Sequence, residues 1–181
     1  MLKEICATLL ILCNPILHGF DFDYAKDDRD HFVQGVAECT VKYNAFLPPF
    51  ERAVVVLSVA QAIIESDWGT SRFAREANNF YGVIQTDRTE PHIKSLRGNV
   101  LLKMYGNKCE SVADYIELLN SSSFFEEYRD LRIKQVLVEE VDVFEVIDTL
   151  DSYAKDPKYQ AKLKDVVTSL LEDYPLIFQT D

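Results

Sequence analysis

Much that would narrow the reading quickly is scarce in this chain. Its three histidines (His18, His31, His92) are scattered and its four cysteines match no metal-site spacing, so a zinc or haem reading has no ligand set. Glycine and proline number six each in 181 residues, without Pro/Gly-rich, low-complexity or repeated stretches, which excludes linker-rich, collagenous and solenoid architectures. Basic residues are outnumbered, 19 Lys and Arg against 30 Asp and Glu, for a net charge of −11. Phosphate binding wants a basic surface, so nucleic acid is excluded as a partner, and steering toward anionic membranes or anionic wall polymers is disfavoured. A neutral part of a glycan remains an acceptable target.

The only membrane-directed feature is short. Lys3 precedes an apolar run from Ile5 to Leu12, broken by Asn14-Pro15. That run is too short to span a bilayer but fits an export signal over residues 1–19, with cleavage near Leu17-His18-Gly19. The alternative is a hydrophobic N-terminal helix packed on the domain. Export places the protein in the periplasm or outside the cell. Removing residues 1–19 takes away Lys3, Glu4, Cys6 and Cys13, so the charge stays at −11 and Cys39 and Cys109 remain. In an oxidising compartment the two are either bridged or a pair of buried thiols.

What is present is mostly helical patterning. Residues 20–30 read as an acidic tail, and 31–181 as a single domain, a length that supports one core. From Asp30, the positions Phe32, Val33, Val36, Cys39, Thr40 and Tyr43 repeat at helical spacing until Pro48-Pro49, where a second helix is expected to begin. Residues 53–64 are nearly all apolar, which predicts a central helix buried on most sides. Thr70 or Ser71 caps a short third helix ending at Asn78-Asn79. Periodicity is lost from Gly82 to Cys109, where glycines, Pro91 and β-branched residues suggest a hairpin-like lobe. Ser111 to Asp114 looks like a capping box, with Val112, Tyr115, Ile116 and Leu119 on one face of the helix it opens. Helical segments follow at about 124–137, 141–154 and 158–173, closed by Pro175. The fold class is mostly α with a small β lobe (α+β).

Chemistry concentrates where the apolar helix ends, on Glu65. A carboxyl at the dry C-terminal end of a helix, beside Ile63 and Ile64, has its neutral form favoured by desolvation, by the helix's partial negative charge and by any like charge from Asp67. Trp68, the only tryptophan, is either a core anchor or a wall beside the acid or a sugar. A carboxyl held protonated near neutral pH is the tool that breaks glycosidic bonds. Without its surroundings, an exposed helix-ending glutamate is the plainer reading.

The surroundings are distinctive. Glu65-Ser66-Asp67-Trp68-Gly69-Thr70-Ser71, then Phe73-Ala74-Arg75-Glu76-Ala77-Asn78-Asn79-Phe80-Tyr81-Gly82, resembles the signature of the glucosaminidase family of bacterial cell-wall hydrolases. Asp67 stands where members usually carry glycine, and Phe80-Tyr81 where Leu-Phe is common. The resemblance continues through Ser111-Val112-Ala113-Asp114-Tyr115 and Tyr128-Arg129-Asp130-Leu131-Arg132, covers roughly residues 45 to 174, and is most similar to the Bax-type branch. It implies a lysozyme-like fold with a cleft between lobes, and endo-β-N-acetylglucosaminidase action on peptidoglycan glycan strands without metal or cofactor. Glu65 would be the general acid and Tyr115 a catalytic tyrosine, although its helical face alone reads as core. Trp68, Asn79, Phe80 and Tyr81 would contact substrate, Phe80 serving equally well as core. Glycosidases normally need a second carboxylate, for which Asp87 and Glu90 are the candidates, with Glu110 behind them; substrate assistance by a 2-acetamido group would need none. The rivals are a muramidase or lytic transglycosylase and, from another class, a non-catalytic glycan-binding or structural wall protein.

Overall fold

The computed structural model describes residues 21–25, 28–96 and 98–178; the expected export segment lies outside them. Helix α1 (Arg29–Asn44) opens on Asp28, whose carboxylate accepts from the His31 amide, and buries the expected stripe from Phe32 to Tyr43. No helix starts at the proline pair. Pro49–Glu51 make one 3-10 turn, and Arg52 and Val54 are extended before α2 (Val55–Ser66) begins. The Asn44 side chain holds that extended link, donating to the Ala53 carbonyl (2.8 Å) and accepting from the Ala53 amide (2.9 Å).

Helix α2 buries every residue except Ile64 and Glu65, which are half-exposed. It packs against α1 and against α7 (Tyr159–Asp173), while α1 also packs on α4 (Lys108–Ser121). A disulfide between Cys39 and Cys109 ties α1 to the first turn of α4, so these cysteines are bridged. Closing a loop of 70 residues is worth about 4 kcal/mol in the chain-entropy account.

Helix α3 (Arg72–Ala77) is capped by Ser71 and stopped by Asn78 in the left-handed region. The small lobe follows: β1 (His92–Lys94) pairs antiparallel with β2 (Leu101–Lys103), His92 opposite Lys103, and Ile84 adds a bridge to Leu102. Asn79 fastens this lobe to the helices. Its amide donates to the Val83 and Lys103 carbonyls (3.0 and 2.9 Å), and its carbonyl accepts from the Val83 amide (3.1 Å).

Two helix boundaries differ from expectation. Helix α4 starts at Lys108 rather than Ser111, because Asn107 accepts from the Glu110 amide (2.9 Å) and Glu110 reaches back to the Gly106 amide (2.8 Å). After α5 (Glu126–Val138), α6 (Val143–Asp148) stops well short of 154. Residues 149–158 are turns that carry Tyr153 toward the centre of the molecule, with Asp156 accepting from the Lys158 amide just before α7. A last turn, α8 (Pro175–Phe178), closes the described chain.

The acidic segment before α1 is not a free tail. Phe22 lies so close to Gly35 that a Cβ there would stand 2.1 Å from its ring, and the Tyr24 hydroxyl donates to the Gly69 carbonyl (2.9 Å). The Lys108 ammonium meets Asp21 and Asp23 at 3.3 and 3.4 Å.

Candidate active site

The end of α2 is closed by an unusual turn. Asp67, Trp68 and Gly69 follow one another at φ of 51°, 56° and 72°. Glycine adopts this region freely, whereas tryptophan does so rarely, so the turn is a strained place held by its surroundings. Ser66 Oγ donates to the Ala62 carbonyl (2.5 Å) and accepts from the Gly69 amide (2.8 Å), and the Trp68 amide returns to the Ile63 carbonyl (3.2 Å). Tyr24 braces the same turn from outside.

Glu65 stands just before this turn, half-buried. Its pKa is raised above the ordinary glutamate value, chiefly by burial, and the nearby Tyr159 hydroxyl pulls part of that back. Tyr153 also faces it, and burial pushes both phenols above their usual range, so they stay neutral. Asp67, from which a like charge was expected, has its hydrogen-bonding partner elsewhere. That carboxylate is exposed and accepts from Thr70 Oγ (3.0 Å).

Behind Glu65 lies a buried tyrosine cluster. Gln61, one turn earlier on α2, donates to the Tyr159 hydroxyl (2.9 Å) and accepts from the Tyr115 hydroxyl. Tyr81 stacks on Tyr115 (centroids 4.0 Å apart), and Tyr153 stacks on Tyr159 (5.5 Å). The Tyr153 hydroxyl donates to the Tyr81 carbonyl (3.4 Å).

Several residues expected at the cleft are inside the protein. Asn79, Phe80, Tyr81 and Tyr115 are each exposed by 3% or less. A side chain closed off from solvent has no face to offer a sugar. Asn79 ties down the lobe, Phe80 packs edge-on to Phe32, the Tyr81 hydroxyl pairs with Ser58 (3.0 Å), and Tyr115 supports Gln61. Trp68 is partly exposed but packs near Phe32 beneath the Arg29 guanidinium (4.4 Å to the ring centroid), lining a pocket of about 340 Å³ with residues of α7. Sequence reasoning missed Gln61, Tyr153 and Tyr159. Gln61 and Ser58 had a visible signal as the only polar residues in the apolar run 53–64, at the spacing that shares Glu65's face.

Asp87 and Glu90 line a groove of about 660 Å³ between the β lobe and α4, with Lys103, Tyr105, Asp114 and Glu117. Asp87 accepts from the Thr89 amide (2.9 Å) and hydroxyl (2.7 Å), which hold its carboxyl below the usual range. Asp114, now interior to α4, pairs with Lys103 (2.8 Å) and accepts from the Tyr105 hydroxyl (2.6 Å). Glu65 does not line this groove. Among the described residues, no group of three or more His, Cys, Asp or Glu is disposed to hold a metal ion.

The family described as mannosyl-glycoprotein endo-beta-N-acetylglucosaminidase matches residues 53–172. Over 134 residues the chain is 31% identical to the exo-glucosaminidase LytG of Bacillus subtilis (strain 168), covering 66% of this chain and 44% of that protein. The chain thus spans less than half the length of this curated relative. Two solved structures share 21% identity: the catalytic domain of the autolysin Auto from Listeria monocytogenes (88% of this chain, 90% of that one, TM-score 0.59) and the glycoside hydrolase domain of Salmonella typhimurium FlgJ (84%, 94%, 0.61). A peptidoglycan hydrolase from Sphingomonas sp. A1 aligns with TM-score 0.59 at 20% identity, over 81% of this chain and 93% of that one. The fold they share with it is the expected one, lysozyme-like and mostly helical with a small β lobe.

Proposed function

Since the chain belongs to the glucosaminidase family and is a glycoside hydrolase, we propose that it is an endo-β-N-acetylglucosaminidase acting on peptidoglycan glycan strands, with Glu65 as general acid. The observation that carries this reading is the environment of Glu65: half-buried at the end of the most buried helix, raised in pKa by desolvation, with neutral phenols as its neighbours. Such a carboxyl keeps its proton where an exposed glutamate has lost it, and can give that proton to the leaving glycosidic oxygen.

The groove of about 660 Å³ under the β lobe is the place this reading gives to the extended glycan. Tyr153 is partly exposed and faces Glu65, so it takes the sugar-facing role that resemblance suggested for Tyr115. The charge left at the anomeric carbon is met in one of two ways. Either the sugar's 2-acetamido oxygen attacks that carbon as the bond to the leaving oxygen breaks, and water later opens the ring while Glu65 takes back a proton; or the carboxylate of Asp87 or Glu90 serves as base or nucleophile. Neither route draws on a metal or cofactor. The disulfide suits an oxidising compartment, and no described helix is long and apolar enough to cross a membrane; an exported location, periplasmic or extracellular, follows as part of the proposal.

Mass spectrometry of peptidoglycan digested by the full chain tests the reading. Internal fragments with reducing-end N-acetylglucosamine are expected. Release of terminal sugars alone would make it an exo-enzyme; reducing-end N-acetylmuramic acid, a muramidase; anhydro ends, a lytic transglycosylase. Glycan binding with no cleavage would leave a non-catalytic wall protein.

A further inference from the structure

The helix that carries Glu65 holds a buried amide that the proposed reaction does not use. Gln61 is fully buried one turn before the acid, in a helix whose buried side chains are otherwise aliphatic apart from Ser58 and Ser66. Burying an amide is costly unless each end is bonded, and an aliphatic residue would fill the space without that demand. Both ends of Gln61 are bonded, and in a definite sense. The Tyr115 hydroxyl donates to Oε1, Nε2 donates to the Tyr159 hydroxyl oxygen at 2.9 Å, and that hydroxyl is the group whose proximity offsets burial at Glu65. A phenol that accepts from Gln61 keeps its own proton free, and Glu65 stands one turn beyond Gln61 on the same face of the helix. A second buried chain on the same helix, Tyr81 to Ser58 to Thr40, ends on the Val36 carbonyl without reaching the acid.

We propose that Gln61 is a positioning residue for the general acid: it directs the Tyr159 hydroxyl toward Glu65, and the chain Tyr115–Gln61–Tyr159 thereby sets how tightly Glu65 holds its proton. The proposal rests on the reading of Glu65 as the acid. The titratable groups that face Glu65 are Tyr159, from the first turn of α7, and Tyr153, from the turns before it. Burial raises its pKa and Tyr159 lowers it. One directed hydrogen bond therefore opposes desolvation, and the residue that aims it has leverage on the pH range of the enzyme.

The test is the pH–rate profile of Tyr159→Phe, Gln61→Met and the double variant, alongside a carbon-13 NMR titration of the Glu65 carboxyl in each. Tyr159→Phe removes the donor that favours the ionised acid. Glu65 then ionises later, and the alkaline limb moves up by about one pH unit, the scale of one hydrogen bond to a charged group. Gln61→Met is expected to move the limb and the NMR midpoint the same way by a smaller amount, with the double variant moving no further than Tyr159→Phe alone. A Gln61 that only fills the core would lower the melting temperature and leave both readouts at the wild-type position. That result in folded Gln61→Met, or single shifts that add in the double variant, overturns the proposal. Tyr115→Phe, which frees the far end of the amide, is expected to give a partial shift and decides the matter if Gln61→Met does not fold. Full activity in folded Glu65→Gln would sink the acid assignment instead, while the NMR midpoints would still report on the chain.

Discussion

Glu65 and the carboxylates of the β lobe differ in nearly everything that surrounds them. Glu65 ends a helix whose other residues are almost all buried, its neighbours are neutral phenols, and burial raises its pKa above the ordinary glutamate value. Asp87 is fully exposed in a loop, accepts two hydrogen bonds from Thr89, and is held ionised below the usual carboxylate range. Glu90 lies exposed on the same groove. One fold thus offers a carboxyl pushed toward its neutral form by burial and another, Asp87, held toward its ionised form by local hydrogen bonds, the contrast from which acid and base roles are assigned. The first environment is built by long-range packing, the second by a few adjacent residues. Breaking the first should therefore cost more function than breaking the second.

The largest effect is expected at the acid. Glu65→Gln keeps shape and removes the transferable proton, so peptidoglycan cleavage should fall by about a hundredfold or more in a folded protein. Stability should move the other way. Because the folded pKa of Glu65 is raised, the unfolded chain ionises first, and wild-type stability declines as pH rises from the ordinary glutamate value to the raised one. Glutamine has no such term. Melting temperatures of the two proteins should diverge in the variant's favour across that window and run parallel above it; a gap independent of pH would mean that Glu65 is not held protonated.

The lobe carboxylates come next. Asp87→Asn and Glu90→Gln, made separately, should each cost about tenfold or less if the substrate's acetamido group supplies the second reacting group, and a thiazoline mimic of the cyclised sugar should then inhibit. A loss at either position matching that of Glu65→Gln, in a folded protein, would favour two protein carboxylates. It would also show that the exposed environment carries as much of the chemistry as the buried one.

How far each region was legible follows from the same contrast. The apolar run 53–64 announced a buried helix, and the motif around Glu65 singled out the acid, because both signals are local. The partners of the acid are not local. Tyr153 and Tyr159 lie some ninety residues on in sequence, and Tyr153 reaches the site only because α6 stops at Asp148, where a helix was expected to run to 154. Tyr115 was placed correctly on an apolar helical face, and burial there takes it away from the sugar. The N-terminal segment misled through its charge: its acidic residues suggested a tail, while Phe22 and Tyr24 between them dock against Gly35 and Gly69. The bridge between Cys39 and Cys109 was open from sequence because it depends on how α1 meets α4.

The smallest effect is expected at Asp67, one of the positions where the resemblance leads one to expect another residue, here glycine. Its carboxylate is bound to Thr70 and its backbone is left-handed, with φ 51° and ψ 60°. Glycine would relieve the backbone but would lose the Thr70 bond and gain freedom in the unfolded chain, and these contributions nearly cancel. Asp67→Gly should therefore change stability by less than about 1 kcal/mol, whereas Asp67→Ala, which keeps the Cβ and loses the bond, should be the less stable of the two by about 1 kcal/mol. Because the charge of Asp67 faces Thr70 and not the acid, neither change should move the alkaline limb of the pH–rate profile. A limb that shifts to lower pH in Asp67→Gly, taken beside wild type at fixed ionic strength, would mean that the like charge reaches Glu65 after all, and that the acid's proton is held by a neighbouring carboxylate as well as by burial.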